Sequence, residues 1–207
     1  KLVLQHSIRV PFENLSIIVP NATGVVIDIA TIYQKIVVNK RGGYCFEQNY
    51  LLFHVLHILG YLVELRGARV VLDTTVPEEE GRLSHLFLLV RHPSTPVDAL
   101  YLVDVGFGGY SPIGPVKVAL NEKTHLFGTD YFCQREVTQC SITMKKSVTW
   151  RLCIIPGDRT EDFSAELPLI LYTFSLDIQM QLADLVQGSY YESTHPTSIF
   201  FKRLFVS

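Results

Sequence analysis

Three side chains stand out for what they could do together. Cys45 follows Arg41-Gly42-Gly43-Tyr44 and opens the long apolar run Tyr44–Leu62. At the first turn of a helix the unpaired backbone N–H groups favour an anion. A cysteine there gains thiolate character and can act as a nucleophile. The structural alternative is a small buried hydrophobe, the ordinary fate of a cysteine. A nucleophile needs a base, and the base needs an orienting group. His85 lies in the strand-like run Leu83–Val90, on the same face as Phe87 and Leu89, an odd place for an unpartnered polar ring. Asp104 ends Tyr101-Leu102-Val103-Asp104, on what reads as the next strand. Neighbouring antiparallel strands can set a His and an Asp side by side as a cross-strand pair. Alone, each reads as a satisfied core His or a strand-end Asp; jointly, the order Cys, His, Asp on helix, strand and strand fits a nucleophilic cysteine with its base and orienting acid.

Other polar residues carry less. His54 and His57 share a helix face without a carboxylate at ligand spacing and read as packing or surface histidines; His6, His92, His125 and His195 are isolated. Glu47 points away from Cys45 and suits a structural ion pair, and Glu78-Glu79-Glu80 suits a solvated loop. Gly106-Phe107-Gly108-Gly109 has the wrong spacing for a dinucleotide loop. Cys45, Cys133, Cys140 and Cys153 are too few and too scattered for a disulfide framework, and none makes a CxxC pair. No metal site is expected, and reduced thiols in the cytoplasm are the default.

The elements that must position these residues follow from pattern. A helical stretch over 1–18 is interrupted at Pro11 and Asn14, and Thr31–Val38 has helical spacing before a turn that Gly42 and Gly43 permit. Tyr44–Leu62 is apolar on every side and reads as a buried helix. Short branched runs follow: Val63–Leu72, Leu83–Arg91, Ala99–Val105, Val116–Leu120, Tyr131–Val137, Ser141–Lys145 and Thr149–Ile154 read as antiparallel strands. Residues 175–189 return to a helical period with Gly188 as a stop, and Ser198–Ser207 reads as an apolar strand. Helices, then strands, then a helix is α+β and not alternating βαβ. The expected division is a helical domain over 1–62, an antiparallel β-barrel over 63–174, and an interdomain helix leading toward a third domain over 175–207.

Composition narrows the class. The 207 residues carry 18 Lys+Arg and 20 Asp+Glu for a net charge of −2, with 48% hydrophobic and only 18% charged residues. Charged residues usually make up about 25% of a soluble domain, so a large core is affordable and disorder is excluded. Without a basic run, neither nucleic acid nor an anionic membrane is an expected partner. The apolar stretches are shorter than the roughly 20 residues of a membrane span.

Taken together, Val10-Pro11-Phe12-Glu13-Asn14-Leu15, Arg41-Gly42-Gly43-Tyr44-Cys45-Phe46-Glu47-Gln48-Asn49, His85 in its strand, Tyr101-Leu102-Val103-Asp104-Val105-Gly106-Phe107-Gly108 and His195-Pro196-Thr197-Ser198 resemble the arylamine N-acetyltransferases, most closely fungal or bacterial members. The resemblance covers nearly the whole chain. It implies a papain- or transglutaminase-like cysteine fold and a ping-pong transfer. Cys45 takes acetyl from acetyl-CoA, the co-substrate, and passes it to an arylamine, arylhydrazine or N-hydroxyarylamine. His85 moves protons and Asp104 orients it. Gly81, Arg82, Gly106, Tyr191 and Thr197 match positions that approach the coenzyme; Ser84 and Phe107 match the acceptor pocket. Arg41 matches an arginine that pairs with Glu13 to brace the turn before the nucleophile. Family members have a longer N-terminal helix and a C-terminal lid, so both ends of this chain read as truncated. The alternatives are another thiol acyl-transfer enzyme, hydrolase- or transglutaminase-like, which would attack an amide and need no coenzyme, and a non-catalytic binding module.

Overall fold

The computed structural model describes residues 1–19, 22, 24–71, 81–139, 141–157 and 168–207. Helices come first: α1 (Leu2–Arg9), α2 (Leu15–Ile18), α3 (Ile29–Tyr33), which passes into a π-helical turn at Gln34–Val38, and α4 (Cys45–Ile58). Asp28 caps α3 by accepting the Thr31 N–H at 2.8 Å. Eight strands follow: β1 (Leu62–Val70), β2 (Leu83–Arg91), β3 (Tyr101–Val103), β4 (Val116–Lys117), β5 (Thr124–Leu126), β6 (Thr129–Gln139), β7 (Lys146–Ile155) and β8 (Leu169–Phe174). Helices α5 (Leu182–Thr194) and α6 (Ile199–Lys202) end the chain as given.

Among the described residues these eight strands join one antiparallel sheet in the order β4-β3-β2-β1-β8-β7-β6-β5. An isolated parallel bridge between Leu120 and Cys133 brings the chain after β4 against β6, so the sheet nearly closes into a barrel. The strand period of two divides β2 between two cores. Leu86, Leu88 and Val90 pack outward against Phe46 and Leu52 of α4. Phe87 and Leu89 pack inward with Leu152, Tyr172 and Phe174. Because both faces of β2 are covered, residues 85–90 are all buried. α4 is buried on most of its circumference, from Cys45 through Leu52 and again at Leu56, as its apolar run implies.

Several segments depart from their sequence patterns. Ser141–Lys145 is not a strand but the turn of the β6–β7 hairpin: Gln139 pairs with Lys146, and Met144 takes φ 58° to reverse the chain. The helix expected over 175–189 starts later: the chain bends at 176–177, Met180 N–H bonds Leu65 O and ties it to β1, and Gln181 N–H then caps α5 on Asp184 at 2.8 Å. Gly188 is inside α5 and not its stop. A Cβ there would stand 3.0 Å from the Phe46 ring, so glycine lets α5 approach α4. Ser198–Ser207 forms α6 and a single bridge, Glu13–Val206, in place of a strand. Its Ser198 hydroxyl accepts the Phe200 N–H, and Asn14 takes the carbonyls of Phe200 and Arg203, both at 2.7 Å. Strands β3 and β4 are shorter than their apolar runs, and β5 and β8 had no assignment from pattern. Glu78–Glu80 and Cys140 lie outside the described residues.

Candidate active site

The Arg41-Gly42-Gly43 turn is built for close approach. The left-handed residue is Lys40 (φ 55°), whereas a Cβ on Gly42 would meet Pro11 O at 2.1 Å. Glycine is therefore needed for space, which lets Phe12 bridge Gly43 in parallel. Arg41 reaches Glu13 Oε1 with Nη2 at 3.0 Å and Nε at 3.2 Å, and Glu13 Oε2 accepts the Leu15 N–H at 2.6 Å. Glu47 pairs with Lys35 at 2.7 Å and accepts the Tyr44 N–H, fixing the start of α4. Burial raises the Glu47 carboxyl, and Lys35 offsets part of that rise.

On this footing Cys45 begins α4, 2% exposed, on the wall of a cavity of about 450 Å³. Its thiol lies 3.9 Å from Ser84 O, at the start of β2. His85 Nε2 donates to Asp104 Oδ2 at 2.7 Å, which leaves Nδ1 for the Cys45 sulfur. Val103 pairs with Leu88, so Asp104, just past β3, sits diagonally to His85 and not directly opposite it. The carboxylate is fully buried and saturated with donors. Asn49 Nδ2 and Gly106 N–H each reach Oδ1 at 2.9 Å, and the Tyr172 hydroxyl reaches Oδ2 at 3.0 Å. The His85 ring is held edge-on by Phe107, 5.0 Å away, and flanked by Tyr172 at 5.1 Å.

Burial works against charge on both members of the pair, and their mutual attraction outweighs it. His85 loses by desolvation but gains from Asp104 and from Cys45, and is raised to about 10. Asp104 is likewise opposed by burial, yet His85, Asn49 and the Gly106 N–H hold it below its ordinary value. Tyr172, pushed well up by burial and by Asp104, remains a donor. Cys133, buried inside the barrel, is raised to about 12 by desolvation and stays a thiol. The site thus unites a cysteine at a helix start, a charged imidazolium and a buried carboxylate, a set that can form and discharge a thioester.

Gly81, Arg82, Ser84, Gly106 and Phe107 line the same cavity. Tyr191 and Thr197 do not; they bond each other at 2.8 Å, and the Arg82 guanidinium lies 4.8 Å above the Tyr191 ring. Among the described residues no group of three or more metal-ligating side chains occurs, and no helix is long and apolar enough to cross a membrane. Three features escaped the sequence reading. Asn49 stood in the motif without a role, Tyr172 comes from the unassigned β8, and Glu192 lines the cavity from α5.

A family profile described as N-acetyltransferase matches residues 1–207. The chain belongs to the arylamine N-acetyltransferase family. It is 34% identical over 205 residues to the arylamine N-acetyltransferase of Mycobacterium tuberculosis, covering 96% of this chain and 62% of that protein. With the enzyme of Mycolicibacterium smegmatis it shares 31% over 212 residues, covering 100% of this chain and 67% of the relative. The chain therefore spans less than two thirds of the first of these. Among solved structures, arylamine N-acetyltransferase from M. tuberculosis superposes with a TM-score of 0.79 at 31% identity, over 99% of this chain and 68% of that one. The Mycobacterium marinum family member in complex with CoA gives 0.77 at 29%, again over 99% and 68%. The α+β arrangement of helices before a nearly closed barrel is thus the fold of this family, the papain-like cysteine fold.

Proposed function

We propose that the protein transfers acetyl from acetyl-CoA to the amine of an arylamine, arylhydrazine or N-hydroxyarylamine through an acetyl-Cys45 thioester. The observation that carries this reading is the buried His85–Asp104 pair beside a cysteine that opens a helix on a cavity wall. The family's name and a CoA complex of one relative support the donor and acceptor classes.

The Cys45 thiolate attacks the acetyl carbonyl, and the coenzyme sulfur leaves with the proton of the His85 imidazolium. The neutral imidazole then takes a proton from the incoming amine as its nitrogen attacks acetyl-Cys45. Collapse frees the N-acetyl product and restores the thiolate–imidazolium pair. Asp104 stays ionised throughout and fixes the ring through Nε2. Gly81, Arg82, Gly106, Tyr191 and Thr197 form the coenzyme side of this reading, Ser84 and Phe107 the acceptor side. Arg41 and Glu13 brace the turn. The residues divide into a helical domain (1–62), a barrel domain (63–174) and a connecting helical segment (175–207).

The test is intact-protein mass after incubation with acetyl-CoA alone. One acetyl adduct is expected on the wild type and none on Cys45→Ser; equal labelling of both, or of neither, overturns the mechanism.

A further inference from the structure

The outer face of the barrel carries a second cavity of about 490 Å³, and none of its described lining residues belongs to the cavity that holds Cys45. A volume of that size suits a small organic ligand. Its floor is a polar row across three strands. Arg69 of β1 pairs with Thr173 of β8, and Thr173 pairs in turn with Arg151 of β7. Their chain neighbours Ala68, Tyr172 and Leu152 face the barrel core, so the strand period of two turns this row outward. The two arginine backbones stand two strand spacings apart, about 10 Å, with the threonine between them. Thr173 is only 4% exposed, yet among the described residues its hydroxyl has no hydrogen-bond partner.

One wall is apolar, made by Leu83, Ile178 and Met180. Gly67 makes room for it, since a Cβ there would lie 2.7 Å from Met180 Sδ. Glu136 also lines the cavity and is paired with Arg151. Among the described lining residues, two guanidiniums against one carboxylate leave one net positive charge. Arg69 donates to the Gly81 carbonyl with Nη1, and a guanidinium has five N–H groups in all.

We infer that this cavity binds an amphipathic monocarboxylate, an apolar chain or ring that ends in one carboxylate. The carboxylate lies over Thr173, accepts from its hydroxyl and is flanked by Arg69 and Arg151. The apolar body rests on Leu83, Ile178 and Met180. A cation of the same shape meets two like charges, and a phosphate dianion brings its second charge against Glu136. The site stands apart from Cys45 and does not depend on the acetyl-transfer reading.

Octanoate is the probe, with octylammonium and inorganic phosphate as controls, titrated calorimetrically into the full chain at neutral pH. One octanoate is expected per chain, bound at least about tenfold tighter than either control. Thr173→Val keeps the shape and removes the hydroxyl, and is expected to weaken octanoate about threefold or more. Ile178 is 65% exposed, so Ile178→Glu leaves the packing intact while setting a like charge on the wall. It is expected to abolish measurable octanoate binding. No saturable octanoate binding, equal affinity for octylammonium or phosphate, or wild-type affinity in either variant overturns the inference. The comparison of the three probes on the wild type stands even where a variant fails to fold.

Discussion

At the scale of single residues, the decisive interaction is one proton held between Asp104 and His85. A solvent-exposed imidazole loses its proton near 6.5, and burial alone moves that loss lower. Here Asp104 and Cys45 reverse the sign, so His85 stays charged until about 10. The charged form is thus present below 10 and is lost as pH rises through that value. In so far as His85 supplies the proton with which the coenzyme sulfur leaves, its contribution to thioester formation should persist through neutrality and be lost only as the solution approaches about 10. Stopped-time mass measurement of Cys45 acetylation against pH checks this. A rate that falls about tenfold per pH unit above the ordinary imidazole value near 6.5 would mean that Asp104 does not hold His85 charged.

At the scale of elements, the site depends on how closely the chain after β3 passes the start of α4. A Cβ on Gly106 would lie 2.6 Å from Cys45 Cα and 2.9 Å from Asn49 Nδ2. Neither neighbour can give way, since one is helix backbone and the other is bonded to Asp104. Gly106→Ala should therefore push α4 and the Asp104 loop apart. Overpacking of this kind costs about 1–3 kcal/mol, or a melting temperature lower by several degrees in a chain of this size. Cys45 acetylation should fall far more than that loss of stability explains. Thermal unfolding with labelling rates on the same sample tests this, and a Gly106→Ala protein acetylating at the wild-type rate contradicts the packing argument.

The same junction explains what the sequence could and could not reveal. Cys45 after Arg-Gly-Gly, His85 on an apolar strand face and Asp104 at a strand end are local signals, readable from neighbours along the chain. Tyr172 is not, because its hydroxyl reaches Asp104 only when β8 inserts between β1 and β7, an order the linear chain does not display. The run Leu169–Phe174 after Pro168 carried a strand signal of its own that could have been found. The terminal run 198–207 misled for a different reason. Its apolar residues face the cavity and α2 through contacts made by Asn14, over 180 residues earlier, and long-range partners override local strand preference. Gly42 and Gly188 look like punctuation in the sequence, yet each leaves room for another element.

Across the whole molecule, Asn49 ties the helical layer to the barrel through three hydrogen bonds. Fully buried on α4, one turn after Cys45, its Nδ2 donates to Leu86 O of β2 at 2.7 Å and to Asp104 at 2.9 Å, while its Oδ1 accepts the Val105 N–H at 3.0 Å. One amide thus fixes the helix that Cys45 opens against both barrel segments that carry His85 and Asp104. Asn49→Ala strands a buried carbonyl and a buried N–H, each costing about 1–3 kcal/mol, so a loss of roughly 2–6 kcal/mol is expected. In a chain of this length that lowers the melting temperature by about 10 °C. Asn49→Asp should be worse than alanine despite its matching shape, because it turns the donor into an acceptor facing Leu86 O and sets a second carboxylate against Asp104. Calorimetric unfolding of the three proteins at neutral pH gives the ranking. If aspartate proves the milder substitution, the amide is not donating to Asp104, and the two layers must be aligned by packing between α4 and β2 alone.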